Sequence, residues 1–137
     1  MSFDLFVGSF IDGKPSRFPT EVVRSAFAAF IKQVEPTCYV LQFSNDEHDQ
    51  SVLFVDTQAH DVDSFSISRP SRDLRLFEGL LTVLRLRGLV LYLPGDCPPL
   101  VGNQETAEHL PPSMIEALGV PHMLTSAANI PQYIKNS

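Results

Sequence analysis

The fold is decided by residues 64–93, which read SFSISRPSRDLRLFEGLLTVLRLRGLVLYL. Over 64–69 apolar and polar residues alternate strictly, which predicts a half-exposed strand with Phe65 and Ile67 on its buried face. The continuous apolar run at 89–93 predicts a central strand that is buried on both faces. A longer segment with helical periodicity separates these two strands.

The intervening residues 72–87 predict an apolar helix. Ser71 is placed to cap its start, and Gly88 is placed to end it. Gly79 inside the helix costs about 1 kcal/mol relative to Ala, which predicts a close approach of another chain segment at that point. The helix and its two flanking strands form a βαβ unit, which we expect to be right-handed.

The residues before position 64 predict one helix and three further strands. Thr20 is placed to cap a helix that runs to Val34 and stops at Pro36. The apolar positions of this helix recur at helical spacing and are Val23, Ala26, Phe27, Phe30, Ile31 and Val34. The three strands are predicted at 3–10, 38–44 and 51–56.

Shorter elements are predicted towards the end of the chain. They are a helix from Asn103, a helix from Pro111 to Leu118, a strand at 122–125 and a helix at 129–135. We therefore predict an α+β fold that forms a single domain over 1–137. Its mixed five- or six-stranded sheet would contain an antiparallel meander and one βαβ unit, with helices packed on the sheet.

Negative charge is concentrated in residues 36–63. This stretch holds six acids and no Lys or Arg, and the whole chain has a formal net charge of −6. The six acids are Asp46, Glu47, Asp49, Asp56, Asp61 and Asp63. A segregated charge creates a field that favours a partner of opposite sign. We therefore predict a basic protein partner, and the net negative charge argues against nucleic-acid binding.

Four arginines are predicted on the second helix. They are Arg72, Arg75, Arg85 and Arg87. A solvated helix face explains them, with the last two compensating the helix dipole. A patch for an anion or a nucleic acid is the alternative.

Metal and cofactor motifs are weak in this chain. The clusters 46–49 and 60–63 contain His and acidic residues, but they are predicted at opposite ends of strand 51–56 and could not share one ion. Glycine-rich phosphate loops, the GxSxG hydrolase elbow and the HExxH zinc motif are missing from the sequence. We expect neither a metal nor a cofactor.

Two alternatives to a binding protein follow from the sequence. The loop at 94–103 follows a buried strand, where α/β sites often form, so a small enzyme or ligand-binding protein would use Asp96, Cys97 and Asn103. Cys97 and Cys38 are predicted to be free thiols. The broad apolar surface of the second helix would instead serve as an oligomer contact in a structural subunit.

No apolar stretch reaches the ~20 residues that are needed to span a bilayer, and the first residues lack the pattern of a secretory signal. We expect a cytoplasmic protein that does not bind a membrane.

Three segments resemble small bacterial immunity proteins of the polymorphic-toxin and contact-dependent-inhibition type. They are Met1-Ser2-Phe3-Asp4-Leu5-Phe6, Val90-Leu91-Tyr92-Leu93-Pro94-Gly95, and His109-Leu110-Pro111-Pro112-Ser113-Met114-Ile115-Glu116-Ala117-Leu118-Gly119. This resemblance implies a cytoplasmic, non-enzymatic inhibitor that binds one toxin domain tightly. An acidic inhibitor would suit a basic toxin such as a nuclease, because opposite charge accelerates association. The six acids would then form the binding surface, with one or both acidic loops engaged.

Overall fold

A computed structural model describes residues 4–93 and 97–136. The strands are β1 (Asp4–Ile11), β2 (Lys14–Pro15), β3 (Phe18–Pro19), β4 (Ile31–Glu35), β5 (Cys38–Gln42), β6 (Gln50–Phe54), β7 (Asp61–Val62), β8 (Ser64–Ser68), β9 (Leu89–Tyr92), β10 (Leu100–Val101) and β11 (His122–Met123). The helices are α1 (Thr20–Phe27), α2 (Leu74–Leu84), α3 (Pro112–Leu118) and α4 (Asn129–Asn136). Two 3₁₀ segments, Ala28–Phe30 and Gln104–His109, complete the described elements.

One large mixed sheet organises the protein, with β1 near its centre. The strand order is β11-β10-β9-β1-β8-β6-β5-β4, and the short β2 extends β1 as a hairpin. Neighbouring strands are antiparallel except for β10 and β11. A separate two-stranded ladder joins β3 to β7. The structure is therefore the α+β fold with a mixed sheet that the sequence predicts.

The βαβ unit has a third strand inserted into it. Strands β8 and β9 both pair antiparallel with β1, so they run parallel to each other on either side of it. Helix α2 connects them along the chain. The predicted strands and helix are present, but β8 and β9 are not neighbours, because the first strand of the chain occupies the position between them.

The sheet contains nine described strands where five or six were expected. The largest single cause is the segment 31–35, which was predicted as helix and forms the edge strand β4. Helix α1 stops at Phe27, and the two-residue turn after Glu35 pairs that residue with Cys38. Strand β5 offers a free edge at this position, and pairing with it satisfies more backbone groups than two further helical turns on the surface would.

The predicted N-caps of α1 and α2 differ from those in the structure. The N-cap of α1 is Pro19, and Thr20 is the first helical residue; its hydroxyl is buried and has no hydrogen-bond partner among the described residues. The N-cap of α2 is Asp73, whose carboxylate accepts a hydrogen bond from the backbone N–H of Arg75. Ser71 instead lies two residues before Asp73, and its hydroxyl accepts a hydrogen bond from the N–H of Asp73 at 3.1 Å.

The sheet has an inner face that carries the main core. Alternate residues of β1, β5, β6, β8 and β9 point to this face, and α1, α2 and α4 pack over it. The fully buried strand residues include Leu5, Leu41, Leu53, Ile67 and Leu91. Burying side chains of this size stabilises the fold by about 1.5–3 kcal/mol each, before the entropy of ordering them is counted.

Helix α2 passes very close to α1, as the glycine in its middle predicts. A Cβ atom at Gly79 would lie 2.4 Å from Cε1 of Phe27, whose ring is fully buried. The predicted close approach at Gly79 is therefore confirmed. Among the described residues, no helix has the length and apolar character that crossing a membrane requires.

Candidate functional site

The first acidic group, Asp46, Glu47 and Asp49, lies in the loop that connects β5 to β6. Asp46 and Glu47 are exposed, and Asp49 is half-buried. The carboxylate of Asp46 accepts a hydrogen bond from the N–H of His48 at 2.9 Å, which closes a tight turn. The hydroxyl of Ser44 donates to the carboxylate of Asp49 at 3.3 Å. The loop thus has a defined backbone and presents its carboxylates to solvent.

A cleft of about 680 Å³ separates this loop from the turn that follows β8. Arg69, Arg72 and Asp73 line the opposite wall, so the lining carries four acids and two arginines and has a net charge of −2 with His48 neutral. The sequence predicts two separate surfaces, one formed by the acids and one by the arginines. The structure brings two arginines to the first acidic group, which weakens its field.

Only Arg75 of the four arginines lies within α2, because the helix spans Leu74–Leu84. Its guanidinium donates hydrogen bonds to the carboxylate of Asp73 and to the carbonyl of Phe43. The hydrogen bonds from Arg75 lower the pKa of Asp73 to about 2. The pKa of Arg75 is raised, chiefly by the hydrogen bond with Asp73 and to a smaller extent by the charge of Asp49. Arg75 therefore anchors the β5–β6 loop to the start of α2.

The second acidic group, Asp56, Asp61 and Asp63, lies at the other end of β6. Asp56 and Asp63 are exposed, and the side chain of Asp61 is 46% exposed. Its carboxylate lies 3.1 Å from Nδ1 of His60. Arg17 donates to the backbone carbonyl of Asp61 at 2.6 Å, which leaves the carboxylate of that residue without this cation.

The two acidic groups flank β6, as the sequence predicts. Five residues of strand span about 17 Å, so the groups cannot converge on one ion but could both contact one protein. None of the six acids forms an ion pair with Lys or Arg in the described ranges 4–93 and 97–136. Their charge is therefore not neutralised by direct pairing within those ranges.

The remaining candidate chemistry is sparse. No group of three or more His, Cys, Asp or Glu side chains is arranged to hold a metal ion in the part of the chain that the structure describes. Cys38 and Cys97 are free thiols and both are buried, as predicted. Burial raises the pKa of each thiol, which disfavours the thiolate that a nucleophile needs.

The predicted site in the 94–103 loop is only partly described. Asp96, together with its two preceding residues, lies outside the described residues. Asn103 accepts a hydrogen bond from the N–H of Glu105 at 2.9 Å and caps a 3₁₀ segment. It also donates to the carbonyl of Arg85. Both the oxygen and the NH2 group of the Asn103 side chain therefore form hydrogen bonds with the backbone.

The sequence predicts Phe, Tyr or Leu side chains beside the acids as the source of affinity, but it does not identify which aromatic side chains are exposed there. The outer face of the sheet carries Phe6, which is 37% exposed, and Phe54, which is 45% exposed. The ring of Tyr92 stacks on Phe6 with a centroid separation of 5.8 Å. The sequence signal for this surface is the unbroken apolar run 52–55, because a strand with only one buried face ordinarily alternates between apolar and polar residues.

Comparisons with known proteins do not identify a relative. No family model matches the chain, and neither a curated protein nor a solved structure matches it significantly.

Proposed function

We propose that this protein is a cytoplasmic, non-enzymatic inhibitor that binds a basic protein partner. The partner would be a toxin domain, such as a nuclease, and the protein would act as its immunity protein. The resemblance to polymorphic-toxin immunity proteins leads to this class, and the acidic surface leads to a basic partner.

The observation that carries the proposal is the unpaired state of the six acids. Surface carboxylates that already pair with Lys or Arg of their own chain have little charge left to offer a partner. The acids of both groups are exposed or half-buried, and among the described residues none pairs with Lys or Arg. A basic surface would supply the missing cations, and complementary charge raises association rates well above those of neutral pairs.

The position of the two groups also suits one partner. A standard interface covers about 800 Å² on each side, which corresponds to a patch roughly 30 Å across. The groups are separated by the length of β6, about 17 Å. One partner is therefore large enough to contact both acidic groups at the same time.

The test is affinity capture from the native host with three tagged variants beside the natural chain. The first variant carries D46N, E47Q and D49N, and the second carries D56N, D61N and D63N. The control variant carries E105Q, E108Q and E116Q, which removes the same charge from exposed positions elsewhere. We expect one stoichiometric basic partner that the control retains and that either test variant loses.

The association rate of the purified pair provides the second measurement. Steered association falls steeply as salt rises, because the Debye length shrinks from about 10 Å at 0.1 M to about 3 Å at 1 M. A rate that is independent of salt, or a partner that all three variants retain, would contradict the proposal.

A further inference from the structure

Among the described residues, a helix covers only one part of the outer face of the sheet. On that part, Met114 and Ile115 of α3 pack against Val90 and Val101. The other helices pack into the core on the inner face. The outer positions of β5, β6, β8 and β1 therefore form an open sheet face beside α3. A sheet with two apolar faces ordinarily has a layer on each of them.

Strand register places two exposed phenylalanines in one row of this open face. Phe6 and Phe54 each pair with Ser66, on opposite sides of it. Two strand spacings separate the phenylalanine backbones by about 10 Å. The half-buried side chains of Val40 and Val52 continue the apolar surface towards the first acidic group. Phe6 and Phe54 thus form two aromatic ridges on either side of Ser66, and a helix of about 10–12 Å diameter that lies over β8 would contact both ridges.

The charge of this face is mainly negative, although Lys32 lies in the bulge of the edge strand β4 and Arg69 directly follows β8. The paired outer positions of β1, β4, β5, β6, β8 and β9, all of them described, include Asp4 and Glu35 but no Lys or Arg. The first acidic group stands at one end of β6 and the second at the other. An apolar centre with acids at both ends matches an amphipathic segment whose apolar stripe is bordered by basic residues.

We propose that a basic amphipathic helix of the partner lies along β8, between Phe6 of β1 and Phe54 of β6, on the open outer face. Its apolar stripe contacts Phe6 and Phe54, and its Lys or Arg residues reach both acidic groups. This inference rests on the proposed function, and it adds the surface and the type of segment that the surface binds. The phenylalanines act as the anchors that supply most of the affinity, and the acids supply steering and orientation.

The test uses a synthetic 18-residue helical peptide with Leu on one face and Lys on the other. Two control peptides carry Glu in place of each Lys, or Ser in place of each Leu. Binding to the full chain is measured by titration, and its location is mapped from backbone amide chemical shifts. We expect the Leu/Lys peptide to shift amides of β6 and β8, and we expect both control peptides to bind at least tenfold more weakly.

Two matched substitutions test the anchors. Phe54→Ser should weaken the Leu/Lys peptide at least tenfold, whereas Leu74→Ser should change its affinity less than twofold. Leu74 is a fair control because it is 47% exposed, close to the 45% of Phe54, and lies on α2 over the inner face. Phe6→Ser serves as an independent variant from the other ridge. Thermal unfolding establishes that each variant is folded.

The outcomes separate this inference from the proposed function. If the captured partner depends on the acids while Phe54→Ser and Phe6→Ser retain both partner and peptide, the inference is overturned and the proposed function stands. Failure of the Leu/Lys peptide to bind the natural chain at about 1 mM, a concentration that would occupy even a weak site, would also overturn the inference. Chemical-shift changes confined to the acidic loops would overturn it as well. A dimer of the free protein that Phe54→Ser abolishes would assign the face to a second copy instead.

Discussion

Replacing Gly79 by Ala tests whether the contact between α1 and α2 limits the size of this residue. Helix propensity alone favours the substitution by about 1 kcal/mol, because Ala loses less conformational freedom than Gly. The structure predicts the opposite sign. The new Cβ would lie 2.4 Å from Cε1 of Phe27 and 2.9 Å from its Cδ1, where ordinary contacts begin near 3.4 Å.

The ring of Phe27 cannot relieve this overlap easily, because it is fully buried among core side chains. Overpacking of this kind costs about 1–3 kcal/mol. An overlap of about 1 Å with a buried ring belongs at the upper end of that range, so the net loss should be about 2 kcal/mol. For a chain of this size the Tm should fall by about 6–8 °C.

Urea unfolding of four proteins measures the effect. They are the natural chain, Gly79→Ala, Phe27→Leu and the double variant, and the smaller side chain at position 27 should make room for the new methyl group. We expect a favourable coupling free energy of at least about 1 kcal/mol between the two substitutions. Thr82→Ala on the exposed side of α2 is the control and should stabilise the protein by about 0.5 kcal/mol. An increase in stability for Gly79→Ala, or additive effects in the cycle, would refute the reasoning.

Three further predictions concern buried groups and one ion pair. Ser51→Ala should lower the free energy of unfolding by about 2–3 kcal/mol in urea, because the buried hydroxyl donates to one backbone group of the 69–71 turn and accepts from another. Asp73→Asn should flatten the dependence of Tm on pH below about 4, because the depressed carboxylate pKa contributes stability above 3.8 that is lost as pH falls to about 2. Cys97, which is 4% exposed, should react with a thiol reagent only as fast as the protein unfolds.

Each of these three has a clear opposing result. A loss below about 0.5 kcal/mol for Ser51→Ala would mean that water replaces the hydroxyl in the turn. A dependence of Tm on pH below about 4 that is the same in the natural chain and in Asp73→Asn would rule out the carboxylate as its source. Fast labelling of Cys97 in the folded protein would restore the alternative of a reactive thiol beside the 94–103 loop.

Local pattern predicted most of the regular elements. The alternation at 64–69 and the apolar run at 89–93 identify β8 and β9, and the bounds of α3 match from Pro112 to Leu118. These elements have the same periodicity in isolation as in the fold. The segment 31–35 differs because Ile31 and Val34 fit a helical stripe, whereas a regular strand would place them on opposite faces. A register shift between Ile31 and Gln33 allows the segment to pair with the free edge of β5 instead.

The sequence likewise predicts some features of the candidate site, whereas others depend on the complete fold. The six acids and their separation by β6 follow from the sequence, because loops between short strands are easily located. The arginines beside the first acidic group depend on how the turn after β8 meets the β5–β6 loop, which brings together segments about 20–30 positions apart in the sequence. The open outer face depends on which strand residues α3 leaves uncovered, and helix placement is a property of the whole fold.

The insertion of β1 between β8 and β9 has a consequence for the order of assembly. Leu5 pairs with Ile67, and Val7 pairs with Leu91, so β1 is synthesised about 60 and 85 residues before the strands that pair with it. The β4–β5–β6 meander is made of local pairs and can form while β1 is still unpaired. We therefore expect slow folding through a state in which β1 is exposed. A holdase chaperone that covers this strand should raise the yield of native protein more than one that binds the meander.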